Sequence, residues 1–492
     1  MACSAAALLA ASPSQADVTA QQVWDNWKES LNVYGDGGVS IGSETMAGNS
    51  LTVSDIVLSM DDGDVSVESL IGTIVFTEQG DGTVSVLMSE TNPITIDAGP
   101  GDIAKITVTQ AGVQMVVSGT PEEMTYDVSA DRISISLDEI TDSGDAMPVE
   151  AIVTMNGLAG AYTSITGPDL TQIVYDVAAS SIDIFFDTDQ PDEEVLVNFS
   201  GKIMDLGFAG SVATPTDMDM DAPETMFIDG FSVDAGYSFG NSTYIFAFQD
   251  GTDTANGTAT ATGGSLGVMM DYDGAEYSNS LTDLAVSFTG SAIPLPVDFS
   301  MGEYGLSVSL PLSQSDVPSE FGAEFRLVDL AVSDMIWSMA DPGGVLPHDP
   351  ATAIFKVSGL GSLFFDLLDP AQAMQIADSE LPGTLESLSL DDLTVRLAGA
   401  EVLGSGAFVF DNTDMMTFPG FPRPEGKLDI AVNGANGLID KLVQMGLLPQ
   451  EQVMGARMMM GVFTTPVGDD MLTSTIEVND QGHVIANGQR LQ

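Results

Sequence analysis

Cysteine is all but missing: the single one, Cys3, stands at the very start of the 492-residue chain. A disulfide framework is excluded, and so are thiolate catalysis and cysteine-based metal sites in the body of the protein. Histidine occurs twice, at His348 and His483, and tryptophan three times. That leaves little imidazole for acid–base work and few aromatic platforms for sugar rings. Basic residues are scarce too, with 12 Lys and Arg against 72 Asp and Glu and a formal net charge of −60. So negative a field repels nucleic acid and anionic headgroups and attracts basic partners or divalent cations. No apolar run reaches the ~18 residues that a membrane-crossing helix needs.

What is present points to a folded chain. Apolar residues make up 44%, far above what an acidic disordered tail carries. The acids are scattered singly among apolar positions, which reads as a solvated outer face. At the N-terminus Ala5 to Ala11 form a short apolar run, and the small residues Ser14 and Ala16 precede Asp17. Residues 1–16 therefore read as an export signal, although no Lys or Arg precedes the run.

Helical spacing is confined to a few places. Val23, Trp24, Trp27 and Leu31 give an N-terminal helix within Val18–Val33, its tryptophans packing it on a sheet. From Leu51 to Phe410 the period is two, as in Ile103–Val108, Tyr244–Phe248, Gly305–Leu310 and Ala351–Val357. Asp-Gly and Asn-Gly pairs, such as Asp81-Gly82 and Asn256-Gly257, punctuate these runs as hairpin turns. Many of the 51 glycines fall inside strand patterns, where they mark bulges and bends. Apolar–x–apolar–x–Gly recurs at Val153–Gly157, Val197–Gly201, Val286–Gly290, Phe355–Gly359, Val395–Gly399 and Ile430–Gly434. A longer echo links Asp131–Gly160 to Arg326–Ser362 and suggests two related halves. Helix returns at Asp366–Ala377 and as a pair at 437–463, with Pro449 opening the second member. A hairpin of Leu472–Val478 and Val484–Leu491 ends the chain.

The expected fold is mainly β. Long, curved antiparallel sheets form a meander with a suggested duplication, an N-terminal helix and a C-terminal helix pair. The expected division is a signal peptide at 1–16, an N-terminal β region at 17–212, an acidic linker at 213–223 and a C-terminal β region at 224–492.

Motifs that carry chemistry are weak. Gly236-Tyr-Ser238-Phe-Gly240 and Gly263-Gly-Ser265-Leu-Gly267 match the nucleophile-elbow pattern, but both fall in strand context rather than at a strand-to-helix turn. Asp217-Met-Asp219-Met-Asp221 opens like a calcium loop, yet Ala222 and Ile228 stand where glycine and a bidentate glutamate belong. Asp61-Asp62-Gly63-Asp64 reads more simply as a turn. Met454, Met458, Met459 and Met460 form a cluster, read as gap-filling on a helix packed against the sheet. No phosphate loop, zinc motif or dinucleotide fingerprint is present. The expectation is no catalytic, cofactor-binding or metal-binding residue, and no cofactor.

Leu438-Ile-Asp-Lys-Leu-Val-Gln-Met-Gly-Leu-Leu-Pro-Gln-Glu-Gln, Met454-Gly-Ala-Arg-Met-Met-Met-Gly, Leu472-Thr-Ser-Thr-Ile-Glu-Val and Gly482-His-Val-Ile-Ala-Asn-Gly-Gln-Arg, with Trp24-Asp-Asn-Trp-Lys, carry a resemblance. They resemble the bacterial family called domain of unknown function 2125. More distantly, the strand repeats and Gly404-Ser-Gly-Ala-Phe-Val-Phe are similar to AsmA-like envelope proteins. The resemblance implies an exported envelope protein; with the alternation, the in-strand glycines and the methionine content, the expectation is a periplasmic, membrane-associated, non-enzymatic protein that binds a lipid or apolar segment on a curved sheet or meets an envelope protein partner. The alternative is a structural or interaction protein stabilised by divalent cations.

Overall fold

The computed structural model describes residues 18–31, 38–61, 63–190, 195–216, 225–291, 293–369, 372 and 382–491. The chain forms two compact units, Met1–Asp192 and Glu193–Gln492. Among the described residues it is mainly antiparallel β structure with four helices. The segment 213–223, read above as a linker, begins inside a strand that runs to Pro215, and most of it lies outside the described residues. So do most of the helix expected at Asp366–Ala377 and all of residues 1–16, read above as an export signal.

The first unit holds α1 (Ala20–Leu31) and eleven strands: β1 (Val39–Ala47), β2 (Ser50–Asp61), β3 (Ser66–Glu78), β4 (Val84–Met88), β5 (Thr91–Asp97), β6 (Ile103–Ala111), β7 (Gln114–Thr120), β8 (Glu123–Asp142), β9 (Asp145–Ala146), β10 (Val149–Thr166) and β11 (Leu170–Gln190). The second holds β12 (Val195–Pro215), β13 (Ser232–Phe239), β14 (Ser242–Asp250), β15 (Asp253–Ala261), β16 (Gly263–Met270), β17 (Gly274–Gly290), β18 (Ile293–Pro311) and β19 (Ser319–Val332). It continues with α2 (Asp334–Ala340), which no periodicity announced, then β20 (Ala351–Leu363), β21 (Gly383–Leu397), β22 (Ala400–Asp411) and β23 (Arg423–Asn433). It closes with α3 (Ala435–Gln444), α4 (Gln450–Phe463), β24 (Thr465–Gly468), β25 (Met471–Val478), β26 (Val484–Ala486) and β27 (Gln489–Arg490).

The same connectivity occurs in both units. In the first, β3 pairs with β4 along one half and β5 along the other; β4 pairs with β7 and β5 with β6; and β7 and β6 lie end to end along β8. In the second, β12 carries β13 and β14, these pair with β16 and β15, and both lie along β17. Long hairpin strands follow in each case, β10 and β11 or β18 and β19. The halves are thus related, but not by the echo seen in the sequence. Asp131–Gly160 sits on β8–β10, whose counterpart is β17–β18, whereas Arg326–Ser362 forms β19–β20.

A crease crosses each sheet at matching places. In the first unit it runs through Gly42, Asp55, Gly72, Ser89, Gly112, Asp131, Gly157 and Ser180, and in the second through Asp205, Gly240, Thr262, Asp283, Gly302, Asp329 and Thr352. Asp55, Asp205, Asp283 and Asp329 have left-handed φ of 54°, 54°, 48° and 54° in mid-strand. Aspartate is among the side chains that tolerate this region. Where the crease meets a short pair of strands it falls in the gap between them, at Ser89, Gly112, Gly240 or Thr262. Partners across the crease are small: a Cβ on Gly42 would lie 2.7 Å from that of Asp55, and one on Gly72 would lie 2.6 Å from Ser89 Oγ. Ser89 Oγ instead accepts the Thr73 N–H at 2.9 Å, and Thr262 donates to Asp283 Oδ2 at 2.9 Å. The in-strand glycines and aspartates are thus bending devices.

The dense core belongs to the first unit. Val23 and Trp24 of α1 are fully buried against Leu51, Val53, Phe76, Val86, Val117 and Tyr126. Trp24 lies 5.9 Å from Phe76, Trp27 lies 5.4 Å from Phe76, and Tyr126 stacks on Tyr162 at 4.4 Å. Tyr126 donates to Asn26 Oδ1 at 2.8 Å, and burial pushes its hydroxyl up to about 12. The start of α1 is a capping box that the sequence displays as Thr19-Ala-Gln-Gln22. The Thr19 N–H donates to Gln22 Oε1 at 2.9 Å and the Gln22 N–H to Thr19 Oγ1 at 3.3 Å.

The helix pair expected at 437–463 is present as α3 and α4. Gly434, at the N-cap of α3, offers no side chain, so Asp470 caps the helix from outside. Its carboxylate accepts the Asn436 N–H at 3.0 Å and the Gly437 N–H at 2.8 Å. Burial pushes the Asp470 carboxyl up, but these bonds outweigh it and hold it below its ordinary value of 3.8. Asp470→Asn keeps a side chain that tolerates the local φ of 50° and removes the charge. It should cost about 1 kcal/mol at neutral pH, since one of the two accepting oxygens becomes an NH2 group that faces an N–H donor. Because the folded-state value is depressed, the carboxylate's contribution is present above 3.8 and fades as pH falls through the folded value. Wild type and variant should therefore converge in urea titrations at the lowest pH, and a gap that persists there would contradict the assignment.

Candidate functional site

In the second unit, strand alternation and register sort the side chains into two faces. One face carries three rows. The first reads Phe208, Tyr237, Leu266, Asn279, Leu306, Phe325, Phe355, Leu393, Gly404, Ile430 and Ser474 across successive strands. Beside it run Ala235, Val268, Tyr277, Val308, Ala323, Val357, Leu390, Gly406, Leu428 and Ile476, and then Leu281, Tyr304, Leu327, Ala353, Val395, Val402, Val432 and Leu472. At ordinary strand spacing this apolar strip measures roughly 50 by 14 Å. Its side chains stay partly open to solvent, Phe355 by 45% and Phe325 by 37%. Among the described residues, the connected cluster of buried apolar side chains lies wholly in the first unit.

Glycines serve this face in a second way. Phe239, Phe246 and Phe321 lie over the glycines that face them across the ladder, Gly264, Gly257 and Gly359, where a Cβ would collide with the ring. Each aromatic ring covers the surface that its glycine leaves bare. The apolar–x–apolar–x–Gly repeat therefore has no single meaning: Gly157 is a crease, Gly359 a seat for a ring, and Gly434 a helix start at φ 71°.

Beside the second row, across β18–β21, the strip borders an apolar cavity of about 300 Å³. Leu310, Phe321, Leu363 and Leu385 line it from the sheet, and Leu367, Pro382, Phe421 and Pro422 from connecting segments. The larger cavity, of about 640 Å³, lies on the opposite, polar face. Ser278, Ser307, Ser309, Ser358 and Ser389 line it, with Glu276, Glu320, Glu324 and Lys356. This hollow is thus mainly polar, and the apolar strip lies on the other face. Part of the charge on this face is paired. Arg326 grips both oxygens of Glu303 at 2.7 and 2.8 Å and reaches Glu324 at 3.4 Å, and Lys356 meets Glu324 at 2.9 Å. The hydrogen bond from Arg326 holds the Glu303 carboxyl below its usual range although burial opposes it, and the same bond raises Arg326.

The residues singled out from motifs do not converge. Ser238 and Ser265 face each other across the β13–β16 ladder in mid-strand, and Ser265 shares a hydrogen bond with Ser280 at 2.7 Å. Neither stands at a strand-to-helix turn. His348 stacks on Trp337 at 5.1 Å and contacts Asp334, while His483 sits in the β25–β26 turn. Asp217, Asp219 and Asp221 lie outside the described residues. Asp61 accepts the Gly63 N–H at 2.8 Å, an ordinary turn. The methionine cluster departs from its reading: Met460 faces a cavity above Leu472, whereas Met454, Met458 and Met459 point to solvent. No group of His, Cys, Asp and Glu able to hold a metal occurs among the described residues, and no described helix is long and apolar enough to cross a membrane.

The strip itself was readable from alternation; the residues that share a row were not, because register is set by hairpin geometry and bulges. No family model matches the chain, and no curated protein matches it.

Proposed function

We propose that this is an exported periplasmic envelope protein that works without bond chemistry and holds the acyl chain of a lipid along the apolar strip of its second unit. The likeness to the 2125 and AsmA-like families, carried by the motifs quoted above, fits this reading. One observation carries it: three apolar rows, two crossing the sheet from β13 to β25 and the third from β17 to β25, stay partly open to solvent and border an apolar cavity. An open strip of apolar side chains costs hydrophobic free energy unless something covers it. The apolar cavity beside the strip suits a hydrocarbon tail.

Native mass spectrometry of the full chain after mild extraction tests the proposal. Wild type should carry a lipid-sized adduct. Phe325→Asp with Phe355→Asp should lose most of it, because each substitution puts a charge into the strip. A wild-type protein that emerges free of ligand would sink the reading.

A further inference from the structure

The outward face of α4 is apolar where a helix packed on a sheet is ordinarily polar. Val453 is buried and Met460 lines a cavity with Leu472, so these two mark the inward side. Met454, Met458 and Val462 follow one another at four-residue spacing on the opposite side, flanked by Met459. They are 74%, 68% and 54% exposed, and Met459 is 56% exposed. Leu447, in the turn before α4, is exposed as well. Glu451 closes the stripe at its N-terminal end.

Charge distinguishes this hairpin from the rest of the chain. Residues 435–463 carry Asp440 and Glu451 against Lys441 and Arg457, so the segment is neutral within a chain of net charge −60. Arg457 meets Asp440 at 2.6 Å. Position matters too. Leu472, beneath Met460, is the last member of the third apolar row, so the hairpin stands at one end of the strip.

We propose that this hairpin docks on the surface of a lipid bilayer, with Met454, Met458, Met459 and Val462 entering the acyl region of zwitterionic lipids. Methionine is unbranched and adaptable and suits a fluid partner. An interfacial helix with a basic fringe draws on anionic headgroups, but this one has no such fringe, so its affinity must come from apolar burial. The acidic body is repelled by an anionic surface. A basic protein would be drawn to that body rather than to this neutral spot, and a second copy would bring two strongly negative chains together. The purpose of docking rests on the lipid reading above, since it sets the end of the strip against the membrane. The docking itself does not require the strip to hold a lipid.

Flotation of the full chain with phosphatidylcholine vesicles tests it. Wild type should float, and less of it when phosphatidylglycerol is added. Met454→Gln with Met458→Gln should weaken binding by at least about tenfold, since two large apolar side chains lose their favourable transfer. Met416→Gln, at an 87% exposed methionine elsewhere in the second unit, should change nothing. Both variants should melt like wild type, because their side chains touch solvent. The proposal is overturned if wild type stays at the bottom of the gradient with phosphatidylcholine. It is also overturned if phosphatidylglycerol strengthens binding, if the double variant floats as well as wild type, or if the double variant alters only self-association. Failure of the lipid reading looks different: a protein without bound lipid that still floats.

Discussion

Trp24→Ala should remove about 3–5 kcal/mol of stability, the usual cost of truncating a fully buried aromatic side chain. Trp24 has no exposed surface, and its ring packs on Phe76 while the Lys28 ammonium lies 5.6 Å from its centroid. The loss should exceed the transfer term, because Leu51, Val53 and Val86 of the same cluster belong to strands that hold one another in register and cannot close the void. Trp24→Phe should cost far less. It keeps a ring and discards an indole Nε1 that is buried without a hydrogen-bond partner. Trp337→Ala, in which the lost ring stacks on His348 at a half-buried site, is the contrast and should cost little. Urea titrations of the three variants, followed by near-ultraviolet circular dichroism, give the ranking. A Trp24→Ala protein as stable as Trp337→Ala would mean that α1 does not anchor the first unit.

The sequence showed α1, the long β body, the closing helix pair and the bending role of in-strand glycines, because each rests on a local rule of periodicity or turn chemistry. It hid whatever depends on register. That β4 and β5 lie end to end along β3, and that β13 and β14 do the same along β12, follows from which strands find each other, and no local pattern encodes it. The internal echo was therefore heard at the wrong distance. The methionine cluster failed for another reason. Met460 and Met458 have the same chemistry, and only the direction in which α4 meets the sheet decides that one is packed and the other exposed. Asp470 was invisible as a helix cap because it stands more than thirty positions from the N–H groups it binds. By contrast, the Thr19–Gln22 capping box is a local pattern, Thr followed three residues later by Gln, that the sequence displays independently of apolar spacing.

Gly157→Val should be among the most damaging single changes in the first unit. Gly157 sits in the middle of β10 at φ 62°, a region that a β-branched residue enters at a cost of about 1–3 kcal/mol. A Cβ there would also collide with Ser180 Oγ on the neighbouring strand. That collision adds roughly 1–3 kcal/mol, because Ser180 Cβ would lie only 3.1 Å away as well, so turning the hydroxyl aside does not clear the contact. Gly48→Val separates the two costs. Gly48 has nearly the same φ, 66°, but lies in the β1–β2 turn with nothing close to its added Cβ. It should show the backbone cost alone, so the difference between the variants measures the crease contact. Ser180→Gly in the Gly157→Val background should recover most of that difference and leave the backbone part. If Gly48→Val and Gly157→Val are equally destabilised, the row from Gly42 to Ser180 is a set of separate bends, not a packed crease. The aspartates at φ near 50° then need another explanation than the folding of the sheet along one line.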